Sequence, residues 1–96
     1  MHRNLRLLDL NLLLVFDALY RHRRVAEAAS ELAMSPSAFS HALSRLRGSL
    51  NDPLFSRQGS QMQPTPRAES LFPAIAGALS ALNGELGQAD HFHPAT

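Results

Sequence analysis

The 96-residue chain has no cysteine, so disulfide bridges and cysteine-ligated zinc are excluded and packing alone must hold the fold. A reducing compartment is compatible with that. Long hydrophobic runs are missing as well. Residues 5–20 are rich in leucine, but Asp9, Asn11 and Asp17 interrupt them, which leaves a stretch too short and too polar for a membrane span. No small-residue cleavage pattern follows a clean apolar core, and this argues against a secretory signal. The expected location is the cytoplasm, with no membrane partner. Lysine is absent too: all nine basic residues are arginines.

The overall charge of +1 points to no particular partner, but its distribution does. Every arginine lies within residues 1–67, where the nine are set against five acids (Asp9, Asp17, Glu27, Glu31, Asp52) for a net of +4. The remainder carries Glu69, Glu85 and Asp90 and a net of −3. A basic head is joined to an acidic tail. The planar guanidinium fork matches phosphate and the guanine edge, so an arginine-only basic half suits DNA better than a generic solvated surface does.

Val25 to Leu50 reads as two short helices joined by a tight turn at Leu32–Ser35. Ala26, Ala28, Ala29, Leu32 and Ala33 give the first helix the small side chains that a close helix crossing needs. Ser35 can cap the second helix and Pro36 sits at its first position, where a missing N–H is no loss. Phe39, Leu43, Leu46 and Leu50 then form one apolar stripe, with Ala42 beside it. Ser37, Ser40, His41, Ser44, Arg45 and Gly48 lie opposite. Their short hydroxyls and long donors suit a groove about 12 Å wide. The periodicity alone fits equally a plain helical hairpin of another all-α domain.

The flanking segments narrow the choice. Asp9 is placed to cap a helix over Leu10 to Arg21, with Leu12, Phe16 and Leu19 on one face and Leu13 and Val15 widening it. His22, Arg23 and Arg24 form a basic connector, either solvated or touching phosphate where the second helix starts. Asn51-Asp52-Pro53 signals a turn before the extended run Leu54 to Arg57. Gln58-Gly59-Ser60-Gln61 turns the chain back into Met62-Gln63-Pro64. A helix-turn-helix followed by such a hairpin is the winged variant, with Arg57 as the hairpin's phosphate donor. Thr65-Pro66 opens a long helix with Arg67 and Glu69 in its first turn. Along it Ala68, Leu71, Ile75, Leu79, Leu82 and Leu86 step at nearly 3.5 residues. From Pro66 to about Leu86 it spans about 30 Å at 1.5 Å per residue. Nothing else in so short a chain is expected to cover that stripe, which implies a dimer. Gln88 to Thr96 has no periodicity and is expected to fray.

The residues Ala28-Ala29, Met34 through Ser40, Leu46, Leu50, Asp52-Pro53-Leu54-Phe55 with Arg57, and Pro64-Thr65-Pro66-Arg67-Ala68 carry a resemblance. In order and spacing the chain, from about Leu8 to Leu86, resembles the N-terminal DNA-binding domain of LysR-type transcriptional regulators. The Asp-Pro-Leu-Phe and Pro-Thr-Pro-Arg-Ala segments are similar to those of the branch with nodulation and leucine-linked regulators. The resemblance implies a mainly α fold: a winged helix-turn-helix of three helices and a two-stranded wing over residues 1–65, then a dimerisation linker helix over 66–87. The tail is 88–96. It also implies a homodimer on a partly palindromic double-stranded site, with the helix at Ser35 in the major groove, and no cofactor.

Carried over residue by residue, Ser35, Pro36 and Ser37 touch backbone and base edges, and Ser40, His41, Ser44 and Arg45 face the groove. Arg57 meets phosphates beside the wing, and Arg23, Arg24, Thr65 and Arg67 complete the DNA-binding set. Arg45 is the expected direct base reader. The dimerisation set is Leu71, Phe72, Ile75, Leu79, Leu82 and Leu86. Three positions depart from the family pattern: Ala26 where a hydroxyl residue often opens the second helix, Pro36-Ser37 where Gln-Pro is common, and Ser60 where the wing tip often carries arginine.

Family members normally continue into an effector-binding region, so the chain is expected to be an excised or truncated piece that cannot bind a small-molecule inducer. A naturally short form that forms mixed dimers with a full-length relative is the alternative, as is a winged-helix protein-interaction module. An enzyme is not expected, because no carboxylate is spaced to orient His41 beside Ser40 and Ser44. His91 and His93 form a His-x-His without companions, so no metal site is expected.

Overall fold

The computed structural model describes the backbone of residues 9–91 and the side chains of residues 9–87. Helix α1 (Leu10–His22) starts where Asp9 is extended and its carboxylate accepts the Leu12 N–H at 2.9 Å, the cap expected from the sequence. It stops where Arg23 turns left-handed at φ 64°. The stripe Leu12, Val15, Phe16, Ala18 and Leu19 is buried. Helix α2 (Val25–Glu31) has no side-chain cap, since Arg24 occupies that position. Its buried Ala28 and Ala29 allow the close crossing. Ala33 then bends the chain at φ 57°, and the Met34 N–H returns to the Ala29 carbonyl at 2.9 Å.

Helix α3 (Pro36–Leu50) opens as the sequence predicts, with Ser35 Oγ accepting the Ala38 N–H at 3.1 Å and Pro36 at the first position. Phe39, Ala42, Leu43 and Leu46 face the core, and Asn51 ends the helix at φ 54°. Strands β1 (Phe55–Gln58) and β2 (Gln61–Pro64) pair antiparallel from Phe55↔Pro64 to Gln58↔Gln61. The two-residue tip puts Gly59 at φ 62°, a conformation a side chain would strain. The hairpin is tied inward by the Met62 N–H, which donates to the Arg23 carbonyl at 2.7 Å.

A short, tightly bonded corner joins α3 to the wing. Leu54 is fully buried at φ 66°, and the Phe55 N–H reaches back to the Pro53 carbonyl at 2.6 Å in a three-residue turn. Asp52 Oδ2 accepts both the Leu54 N–H at 2.8 Å and the Thr65 hydroxyl at 2.9 Å. The Thr65 oxygen in turn accepts the Ala68 N–H at 3.2 Å, so one chain of bonds links the ends of α3, the wing and the last helix.

That helix, α4 (Pro66–His91), runs about one turn past the expected end near Leu86, and residues 88–91, read from sequence as tail, are helical in backbone. Residues 92–96 lie outside the described ones. The α4 stripe does not stand free along its whole length. Leu71, Phe72 and Ile75 are half-buried against this chain's own core, and Phe72 stacks on Tyr20 of α1 with ring centroids 3.9 Å apart. Periodicity marks an apolar face without naming its neighbour, and the stripe's first half is covered in part by its own chain. Three helices, a two-stranded wing and a long fourth helix make a winged helix-turn-helix around one core, as expected. No described helix is long and apolar enough to cross a membrane.

Candidate nucleic-acid interface

Burial of one α3 stripe decides what the rest of that helix presents. With Phe39, Leu43 and Leu46 inward, Ser37, Ser40, His41, Ser44, Arg45 and Gly48 are all exposed, and they form the outward ridge at the helical spacing. Ser35 and Pro36, at the helix start, are exposed beside them. The ridge has two flanks. On one, Ala38, His41, Ala42 and Arg45 border a crevice of about 290 Å³ against Asn11, Leu12 and Leu14 of α1. There Arg45, 56% exposed, places Nη2 at 3.2 Å from Asp9 Oδ2.

On the other flank Arg47 braces the wing. Its Nε donates to the Pro53 carbonyl at 2.7 Å and its Nη2 to the Phe55 carbonyl at 3.0 Å. Sequence reading missed this role, because the partners lie six and eight residues away in a segment without periodicity. Arg47→Ala is expected to destabilise the domain by about 1–3 kcal/mol, the loss of charge-assisted bonds to carbonyls that hold the corner. The midpoint of chemical unfolding measures this, and a loss below about 0.5 kcal/mol would show that the brace carries no weight.

The other basic residues divide. Arg24, Arg57 and Arg67 are exposed. Arg57 pairs with Met62, so it shares the hairpin face of the buried Met62 while remaining exposed itself. Arg23 is instead drawn into the fold: its Nε donates to the Tyr20 carbonyl at 2.6 Å and its guanidinium lies 4.7 Å from the centre of the Tyr20 ring. The Thr65 hydroxyl is likewise engaged, between Asp52 and the Ala68 N–H. The Thr65–Asp52 bond joins residues 13 apart, whereas Arg23 reaches back only three residues, across a left-handed turn that no sequence pattern marks.

His22, read as part of a basic connector, closes α1 and joins an ion cluster the sequence did not reveal. Arg21 bonds Asp17 one turn earlier and makes a two-point pair with Glu31 at the end of α2, while His22 Nε2 lies 2.7 Å from Glu31 Oε1. The Arg21 hydrogen bonds, followed by that of His22, lower the Glu31 pKa from its ordinary 4.5 to about 2. Arg21 is raised in return. A carboxyl depressed by folding contributes stability that is full above its unfolded pKa and is lost as pH falls toward its folded one. The cluster therefore loses its contribution between about pH 4.5 and 2. Glu31→Gln is expected to flatten that part of the acid unfolding profile. Because Glu31 is 36% exposed, the effect is small and shrinks further in salt. An unchanged acid limb would contradict the assignment.

Away from α3, the distal part of α4 leaves apolar surface open. Leu82 is 46% and Leu86 58% exposed, and with Leu79 and Ala76 they face Leu10 and Leu14 of α1 across a groove of about 460 Å³. Ion-cluster residues Asp17 and Glu31 form part of its rim. The described residues hold no cluster of three or more groups that could bind a metal. The side chains of His91 and His93 lie outside them.

Comparison with known proteins gives this geometry a context. The sequence profile of the bacterial regulatory helix-turn-helix protein, lysR family, matches residues 10–69. Nodulation protein D 3 of Mesorhizobium japonicum is 47% identical over 88 residues, covering 92% of this chain and 29% of the relative. A solved probable transcriptional regulator from Pseudomonas aeruginosa is 69% identical, with a TM-score of 0.86 over 88% of this chain and 28% of that one. The BenM DNA-binding domain, solved in complex with its benA site 1 DNA, shares the fold at a TM-score of 0.78 and 18% identity, over 93% of this chain and 100% of that one. The chain spans less than a third of the length of the first two.

Proposed function

Because this chain belongs to the LysR family of bacterial helix-turn-helix regulatory proteins, we propose that it reads a specific double-stranded DNA site as a homodimer in the bacterial cytoplasm. Its described residues form the family's DNA-binding domain, and its relatives are transcriptional regulators rather than enzymes. The observation that carries the finer reading is the α3 ridge: an exposed row of serines with His41 and Arg45, backed by a fully buried stripe. Such a helix is slim enough on its outer side to enter the major groove, and its backing keeps it rigid there.

In this reading Ser37, Ser40, His41 and Ser44 approach base edges, and Arg45 takes a guanine edge. Ser35 and Pro36 set the helix start against the backbone. Arg57 on the wing and Arg24 on the connector meet phosphates, with Arg67 at the start of α4 as a further backbone donor. Arg23 supports the connector from within. The stripe Leu79, Leu82 and Leu86 joins two copies, so the paired ridges read the two halves of a partly palindromic site.

The test is duplex binding at several salt concentrations by the purified chain and two variants. Arg45→Ala is expected to reduce preference for a selected site by about 1–3 kcal/mol, whereas Arg57→Ala weakens selected and random duplexes alike and lowers the salt slope by about one. Equal loss on both duplexes for Arg45→Ala would refute its role in readout. Absence of binding even at low salt would refute the DNA reading altogether.

A further inference from the structure

Asp9 does two things with one carboxylate. Its Oδ1 accepts the Leu12 N–H at 2.9 Å and so caps α1, while its Oδ2 stands 3.2 Å from Arg45 Nη2, a residue 36 positions away on the recognition ridge. The cap fixes the carboxylate in space, so Arg45 meets an anion already in place. The contact is single-point, and both groups are about half exposed, at 56% for Arg45 and 49% for Asp9. An exposed pair of this kind is easily separated, which makes it a competitor rather than a lock.

We infer that Asp9 is a specificity-determining positioning residue: it compensates the charge of the Arg45 guanidinium through one Nη2 donor, which weakens its pull on phosphate, and leaves the remaining donors for a base edge. The inference rests on the proposed role of α3 as the DNA reader. On random duplex the partner of Arg45 is a phosphate, which binds through its charge as well as through the fork, and the Asp9 carboxylate opposes that attraction. A guanine edge is uncharged and takes donors at N7 and O6, so the same carboxylate opposes it less. Asp9 thus lowers affinity for wrong sequence more than for right sequence, the repulsive element that a selective binder needs.

The experiment uses Asp9→Asn, which keeps an oxygen for the Leu12 cap but replaces the charged arm by an amide donor that cannot accept from Arg45. Asp9→Ser, also cap-competent, repeats it. Thermal unfolding of both is expected to stay close to that of the parent chain. Affinity for a random duplex should rise about three- to ten-fold, and the slope of log affinity against log salt should steepen by about one. Affinity for a selected site should rise no more than about two-fold, so the ratio of the two falls. In an Arg45→Ala background, Asp9→Asn should leave the ratio unchanged.

If Asp9→Asn strengthens both duplexes equally, with or without Arg45, the carboxylate merely repels DNA and the inference is overturned. If Arg45→Ala itself leaves the ratio unchanged, the inference falls while selective binding by the parent chain still supports the DNA reading. Failure of the parent chain to bind any duplex at low salt overturns both.

Discussion

A chain carrying Leu79→Glu and Leu82→Glu together sediments as a monomer and loses about 10²- to 10⁴-fold in affinity for a two-half-site duplex, while its unfolding midpoint stays near that of the parent. The expectation follows from where the α4 stripe is used. Its first half, Leu71, Phe72 and Ile75, belongs to the core of its own chain, so charges there would unfold the domain. Its second half lines an open groove with Leu82 and Leu86 exposed, so charges there cost the folded monomer little. In a dimer the same two carboxylates would be buried against apolar side chains, each at a cost of several kcal/mol. Separating the copies removes the effective concentration that joins two half-site contacts, which accounts for the size of the binding loss. A dimer that survives unchanged in sedimentation would place the interface elsewhere.

Phe16→Ala is expected to destabilise the domain by about 3–5 kcal/mol, a large share of the 5–15 kcal/mol typical of a small domain. Phe16 is fully buried, with ring centroids 5.6 Å from Phe55 of the wing and 6.1 Å from Tyr20. Tyr20 in turn stacks on Phe72 of α4. One truncated ring therefore opens a cavity where α1, the wing and the fourth helix meet, and the wing should loosen with the core. Chemical unfolding followed by far-ultraviolet circular dichroism reads the loss. A change below about 1 kcal/mol would mean that the wing does not share the core.

Local signals in this chain carried their information well. Asp9 and Ser35 cap helices through their own next turn, the Phe39–Leu46 stripe repeats at the helical period, and the Gly59 tip turns two short strands. Each needs only a few neighbouring residues. What the sequence hid depends on turns and corners without periodicity, some of them local and some joining distant segments. Arg47 and Thr65 look like surface polar residues until the Asp52–Leu54 corner folds between them. Arg23 and Arg57 are indistinguishable as connector and hairpin arginines, yet the first is drawn onto Tyr20 and the second is exposed. The α4 stripe reads as one seam although the fold divides it, because periodicity fixes a face and tertiary packing decides who covers it. The Asp9–Arg45 pair, 36 residues apart, is the same kind of information at the candidate site itself.

Selection of bound sequences from a random duplex pool by the purified chain tests the central claim most directly. The account predicts enrichment of a partly palindromic site whose half-site spacing matches two α3 ridges about one helical turn of DNA apart or a multiple of it. A pool that is not retained at low salt, or is retained without any sequence enriched, would contradict it.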